Sequence, residues 1–237
     1  MAGTLYIVAT PIGNAGDFSP RAVQLLRSVS SIAAENPSCT QALLAPHRIY
    51  TPLTSYQNDN KEEKTPILLR RLEEGQDIAL VSDAGTPVIV DPGRFLIDAA
   101  ARRGLPVAPV PGPSAIAAAL SVSAFSGDAY SFLGQLPASP LHRKRLFRHW
   151  RRAPQTLVCF VTPDQLTRTL TELCSVMKTR RAIVAANLTT VREQILRGAV
   201  AELTRMPGMK RLEGDVTLVI EGAQARAPRR RVLRRKP

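Results

Sequence analysis

The chain is poor in the side chains that most often announce chemistry. It has three cysteines (Cys39, Cys159, Cys174) and three histidines (His47, His142, His149) in 237 residues. None falls in a C-x-x-C or H-x-x-x-H spacing, so neither a disulfide framework nor a structural zinc site is expected, and no metal is assigned. No apolar run reaches about 18 residues, which argues against a transmembrane helix. Met1-Ala2-Gly3-Thr4 runs directly into apolar residues without a basic segment. The expectation is therefore a cytoplasmic protein without a signal peptide, with import into an organelle left open. Nucleotide and hydrolase signatures are missing as well. There is no G-x-x-x-x-G-K-[ST], no G-x-G-x-x-G beyond the weak Gly13-x-x-Gly16, and no G-x-S-x-G. P-loop phosphoryl transfer, dinucleotide redox chemistry and α/β-hydrolase chemistry all lose weight.

Acidic residues are also scarce. Nineteen Asp and Glu face 32 Lys and Arg, for a net charge of +13. Two blocks carry much of the excess. Residues 142–152 hold Arg143, Lys144, Arg145, Arg148, Arg151 and Arg152 with no acid between them, and the last residues hold seven more, among them Arg229, Arg230 and Arg231. Removing those last seven charges still leaves +6 of the +13. Such blocks suit a polyanion, because neutralising phosphates releases counterions. The bland alternative is a solvated helix face and a solubilising tail.

What is abundant is alternation. Leu5-Tyr6-Ile7-Val8-Ala9-Thr10 reads as a buried strand ending at Pro11-Ile12-Gly13-Asn14, and Ser19-Pro20 as a helix start. Short strands are predicted at Ser31 to Glu35, Ile78 to Val81 and Pro106 to Val110. Helices are predicted from Thr65-Pro66 to near Gly75, from Gly93 to Gly104, and through the alanine-rich segment to Leu120. Strand, loop and helix recur every 20 to 30 residues, the pattern of a mainly parallel sheet. Composition shifts to Ser, Gly and Pro around Ser121 to Pro140. Beyond it strands are predicted at 156–161, 182–185 and 216–220, with a helix at 163–177. The expected organisation is an α/β domain over 1–122, a second α/β domain over 123–222, and a basic disordered tail over 223–237.

Three loops follow strands of the first half: Thr10 to Asn14, Ser82-Asp83-Ala84-Gly85-Thr86-Pro87, and Pro111-Gly112-Pro113-Ser114-Ala115. All are small-residue and stiffened by Pro and Gly. At the carboxyl edge of a parallel sheet they would form a cleft walled by main chain, suited to a flat, adenosine-like ligand. Taken alone, the second loop is as well explained by an ordinary strand-to-helix connection with a capping Asp.

Those segments, with Asp91-Pro92-Gly93 and Asp215 to Gly222, resemble the ribosomal RNA small-subunit 2′-O-methyltransferase I family of the tetrapyrrole-methylase superfamily, over residues 4 to about 222. The resemblance implies two α/β domains with S-adenosylmethionine (S-adenosyl-L-methionine) in the cleft between them, usually in a homodimer. The implied substrate is a cytidine of small-subunit ribosomal RNA, methylated on its ribose 2′-oxygen. By position, Pro11, Ile12, Gly13, Asp83, Ala84, Gly85, Thr86, Val88, Ser114 and Ala115 would line the cofactor pocket, closed by Phe160 and Leu188 of the second domain.

The chain departs from the family on the expected substrate side. An Ala-Glu-Asp-Thr-Arg pattern is here Ala34-Glu35-Asn36-Pro37-Ser38, with Gln41 for a second Arg. A Ser-Tyr-His-Glu-His-Asn-Glu pattern is Ser55-Tyr56-Gln57-Asn58-Asp59-Asn60-Lys61. Two further charged motifs become Val161-Thr162-Pro163-Asp164-Gln165 and Ala186-Asn187-Leu188-Thr189-Thr190. Glu35 and Asp59 are the remaining candidates for a proton acceptor. Three readings follow. One is an active methyltransferase whose basic blocks replace the lost contacts, and another is a catalytically impaired relative acting as a ribosome-binding or assembly factor. The third, a tetrapyrrole methylase, fits the charge poorly.

Overall fold

The computed structural model describes residues 1–207, 209 and 212–223. The chain forms two compact units, one of Met1–Ala119 with Ala186–Gln194, the other of Leu120–Ala185 with the described residues from Ile195 to Ala223.

In the first unit, β1 (Leu5–Val8), β2 (Ser31–Ala34), β3 (Leu53–Ser55), β4 (Ile78–Val81) and β5 (Val107–Val110) form a sheet of order β3-β2-β4-β1-β5. Every pair is parallel, with Tyr6 opposite Ala79 on one side and Ala108 on the other. β2 and β4 are buried along their whole length, as a strand covered on both faces must be. Alternate residues feed two cores. Helices α1 (Pro20–Ser28) and α2 (Pro37–Leu44) pack Ala22, Leu26 and Leu44 onto Val8, Ile32, Ala34 and Val81. On the opposite face α3 (Lys61–Glu73) and α4 (Arg94–Arg102) pack Leu68, Leu72, Leu96 and Ala100 onto Leu5, Ala33, Ile78 and Leu80. Adjacent strands β2 and β4 thus send the chain to opposite faces, through α2 and α4. Their carboxyl ends flank a topological switch point, where open α/β sheets leave a crevice. After β5 the alanine-rich helix α5 (Ala115–Ser121) follows.

In the second unit, β6 (Tyr130–Gln135), β7 (Thr156–Val161), β8 (Arg181–Ala186), β9 (Gln194–Ala199) and β10 (Val216–Ile220) form a sheet of order β6-β7-β10-β8-β9. β6 runs parallel to β7, whereas β10 is antiparallel to it, with Val216 opposite Val161. The helices are α6 (Pro140–Trp150), α7 (Pro163–Met177) and the short α8 (Val200–Leu203).

Some expectations need correction. The division falls after Ala119 rather than after residue 122, and 186–194 groups with the first unit instead of the second. That segment is held by contacts to residues about 175 positions earlier, which local pattern does not reveal. The helix expected from Thr65-Pro66 starts at Lys61 and carries Pro66 inside it. Tyr56 and Thr65, joined hydroxyl to hydroxyl at 2.9 Å, are both buried, so tertiary packing outweighs the lost N–H of the proline. Strands β3, β6 and β9 and helices α2 and α8 add to the elements expected from local pattern. β3 is three half-buried residues, and β6 is irregular between Phe132 and Gln135, where Gly134 takes a positive φ of 71°. The tail from residue 224 lies outside the described residues, as do Arg229, Arg230 and Arg231.

Candidate functional site

The loops after β1, β4 and β5 meet at the carboxyl edge of the first sheet. Thr10 and Gly85 exchange both backbone hydrogen bonds, Thr10 N–H to Gly85 O at 2.8 Å and Gly85 N–H to Thr10 O at 3.1 Å. Thr86 Oγ1 donates to Pro113 O at 3.3 Å, which ties the second loop to the third. Gly85 has a φ of +80°, and a Cβ there would lie 3.3 Å from Ile12 Cγ2 and 3.7 Å from Pro113 O. Only glycine takes that conformation without cost while three chains cross so closely. The structure therefore brings Pro11 to Gly13, Asp83 to Thr86, and Ser114 with Ala115 to one place, and leaves Gly13, Asp83 and Ala84 exposed there.

Val88 and Val90, further along the second loop, have φ of 78° and 75°. β-branched residues in the left-handed region are outliers, each costing about 1–3 kcal/mol, and such strain collects where a loop must hold one shape for a ligand.

A fourth segment joins these loops. The turn after β8 packs on the first loop, where a Cβ on Gly13 would lie 2.6 Å from Leu188 O and 2.6 Å from Thr190 Cγ2. Asn14 N–H donates to Thr189 Oγ1 at 3.0 Å, and Thr189 N–H to Glu193 Oε2 at 2.7 Å. Asn187 and Thr189 are also left-handed, at 51° and 67°. Leu188, expected from the second domain, thus belongs with the first unit: its side chain is buried and its carbonyl oxygen faces Gly13. Phe160 stays in the second unit on β7, edge-on to Phe132 with ring centroids 4.9 Å apart.

At the switch point three carboxylates gather. Asp83 N–H donates to Glu35 Oε2 at 3.2 Å, and Asn36 N–H to Asp83 Oδ1 at 3.1 Å. Burial raises Glu35, opposed by that hydrogen bond and reinforced by the Asp83 charge. Burial raises Asp83 too. Asp91 goes to about 6, by burial first and then by the charges of Glu35 and Asp83, with Ser82 pulling the other way. Among the described residues none of the three is in a salt bridge. Gln57 Nε2 donates to Glu35 O at 2.8 Å, which draws the turn carrying exposed Asp59 to the end of β2. Sequence reasoning missed Asp91 and Gln57 as members of this cluster, though the short Asp83-to-Asp91 loop was a usable signal for the first. Among the described residues no group of His, Cys, Asp and Glu could hold a metal ion.

The basic helix needs one clear correction. Arg143, expected to touch RNA, is fully buried. Its Nε and Nη2 donate to the two carboxylate oxygens of Glu172 on α7 at 2.8 and 3.0 Å, and Nη1 donates to Pro137 O and Ala138 O, both at 2.8 Å. A guanidinium that presents five donors in a fixed fork is well suited to such a clamp. The exposed cations of this block are Arg145, Arg148, Arg151 and Arg152, with Lys144 half-buried.

A family model described as Tetrapyrrole (Corrin/Porphyrin) Methylases matches residues 4–204. The protein named Ribosomal RNA small subunit methyltransferase I of Xylella fastidiosa (strain Temecula1) is 42% identical over 224 residues, spanning 93% of this chain and 82% of its own. The Thermotoga maritima protein of the same name is 37% identical over 222 residues, 94% of this chain and 100% of its own. Among solved structures, the uroporphyrin-III C-methyl transferase of Thermus thermophilus complexed with S-adenyl homocysteine superposes with a TM-score of 0.62. It covers 92% of this chain and 97% of its own at 18% identity, a likeness of fold.

Proposed function

The chain belongs to the ribosomal RNA small subunit methyltransferase I family of tetrapyrrole methylases, which are S-adenosylmethionine-dependent methyltransferases, and from that premise we propose that it methylates the ribose 2′-hydroxyl of a cytidine in small-subunit ribosomal RNA. The observation that carries this reading is the convergence of Thr10–Gly13, Asp83–Thr86 and Pro113–Ala115 on one edge of the sheet, in contact with the 187–190 turn.

The residues fit the methyl donor. Main chain of three loops can hold an adenosine by hydrogen bonds, with Pro11, Ile12, Gly13, Ala84, Gly85, Thr86, Val88, Ser114, Ala115 and Leu188 as the proposed lining and Phe160 as a proposed closing residue. Beside them stand Glu35, Asp83 and Asp91, all raised by burial, Glu35 and Asp91 also by neighbouring carboxylate charge, and none in a salt bridge among the described residues. A sulfonium or ammonium charge is what such a cluster lacks. The donor supplies an activated methyl on a good thioether leaving group. This chain must align the ribose oxygen behind that methyl and keep water away. As the O–C bond forms, the hydroxyl proton goes to an acceptor. Glu35, with its raised pKa at the end of β2, is the proposed one, and Asp59 is the alternative.

The proposed RNA contacts are Lys144, Arg145, Arg148, Arg151 and Arg152. The same reading takes the chain as a cytoplasmic homodimer, and no helix of the described residues is long and apolar enough to cross a membrane. A second reading has one observation behind it. Asn36, where the family pattern has an acid, caps α2 by accepting from Ser38 and Cys39 N–H. An Asp would cap that helix equally well, so what the exchange removes is the acid itself, as in a binding factor without catalysis. Incubating the protein with labelled S-adenosylmethionine and small ribosomal subunits lacking the modification separates the two. A methylated ribose establishes the enzyme, whereas cofactor binding by calorimetry with no transfer overturns it in favour of the factor.

A further inference from the structure

The amino edge of the first sheet, opposite the cofactor loops, carries a feature that methyl transfer does not use. A cavity of about 430 Å³ opens there, lined by Arg27, Val29, Arg48, Tyr50, Thr51 and Pro52. These residues lie just before β2 and β3, so strands of three and four residues separate them from the loops above, on the order of 13 Å.

The lining holds two cations and no acid. Arg27 uses Nη2 to donate to His47 O at 2.5 Å, which fixes its guanidinium beside the Ala45–His47 turn and leaves the rest of the fork available. Arg48 is exposed and in no salt bridge among the described residues. Its backbone is left-handed, at φ 53° and ψ 45°, a place where glycine or asparagine would fit with less strain. Tyr50, two residues on, has 85% of its surface exposed, and neither arginine stacks on it. Thr51 Oγ1 donates to Leu26 O at 2.5 Å, which anchors the chain entering β3. A solvent-facing aromatic ring that shares a cavity lining with two cations is the arrangement that takes an unpaired nucleobase by stacking and the adjoining phosphates by charge.

We propose that Arg27, Arg48 and Tyr50 form a second RNA-binding site, a platform for a single-stranded nucleotide at the sheet edge opposite the cofactor loops. The site anchors structured RNA at a distance from the reacting ribose. It rests on RNA being the substrate, and adds a place where that RNA is held.

The test uses the full chain and a fluorescein-labelled single-stranded oligoribonucleotide of about 12 nucleotides, alongside methyl transfer to small subunits. Tyr50→Ala should weaken oligonucleotide binding about tenfold, with Tyr50→Phe close to the parent. Arg27→Gln with Arg48→Gln should lower the slope of log affinity against log salt by about 1.4, since each phosphate that is no longer neutralised takes away about 0.7. Affinity for S-adenosylmethionine and the melting temperature should not change, a pattern that loss of a merely structural residue would not produce. Unchanged affinity and slope in all variants, with the parent still binding and methylating RNA, overturns this site alone. A parent chain that binds S-adenosylmethionine but neither oligonucleotide nor subunit overturns this site and the RNA reading together.

Discussion

Replacing Arg143 by alanine should destabilise the second unit rather than free a helix face. The side chain is fully buried and makes a two-pronged ion pair with Glu172 at 2.8 and 3.0 Å, plus two bonds to backbone carbonyls at 2.8 Å. Truncation strands the Glu172 carboxylate, itself 7% exposed, between α6 and α7, and orphans the Pro137 and Ala138 carbonyls. Breaking one side of a buried pair costs about 3–5 kcal/mol. In a chain of this length each kcal/mol moves the melting temperature by about 2–4 °C, so a fall of roughly 6–20 °C is expected. Calorimetry of Arg143→Ala measures it, with exposed Arg145→Ala as the control, expected within about 0.5 kcal/mol of the parent. The double replacement Arg143→Met with Glu172→Leu should recover part of the loss, because it leaves no unpaired buried charge, although the Pro137 and Ala138 carbonyls still lack their donor. The reasoning is refuted if Arg143→Ala melts like the parent and only RNA binding falls, since the guanidinium would then be an accessible contact.

Gly13→Ala should push the 187–190 turn away, because its Cβ would lie 2.6 Å from Leu188 O. Calorimetry should show S-adenosylmethionine binding weakened by about tenfold or more, with the chain still folded. Val90→Gly relieves a left-handed φ of 75° and should stabilise the chain by about 1 kcal/mol in chemical denaturation. Cofactor affinity should fall in the same variant as the loop loosens. Asp91, at about 6 against an ordinary 3.8, keeps its proton to higher pH in the folded chain than in the unfolded one. Its contribution to stability is full below about pH 4 and is lost as pH rises through 6. Two units correspond to about 3 kcal/mol, which solvent screening of this half-exposed group reduces to about 1. Asp91→Asn should therefore exceed the parent by about 1 kcal/mol above pH 6 and match it near pH 4, as pH-resolved melts would show.

Much of the first unit is legible from local residues alone. The runs Leu5 to Val8, Ser31 to Ala34 and Ile78 to Val81 are short, apolar and punctuated by Gly and Pro, because strands covered on both faces tolerate no polar alternation. Ser19 and Pro20 mark α1 by the same local chemistry that caps it. The motif loops are legible too, since a tight turn at a sheet edge demands small residues at fixed places. What tertiary structure alone decided is which distant residues share a site. Leu188 and Thr189 reach Gly13 across about 175 residues, and Asp91 gathers with Glu35 and Asp83 only because β2 and β4 lie side by side. It also decided that one arginine of a uniformly basic block faces inward. In residues 142–152 every cation looks alike along the chain. Only the partner helix, with Glu172 at the matching height, makes Arg143 a core residue while Arg145 and Arg148 meet solvent.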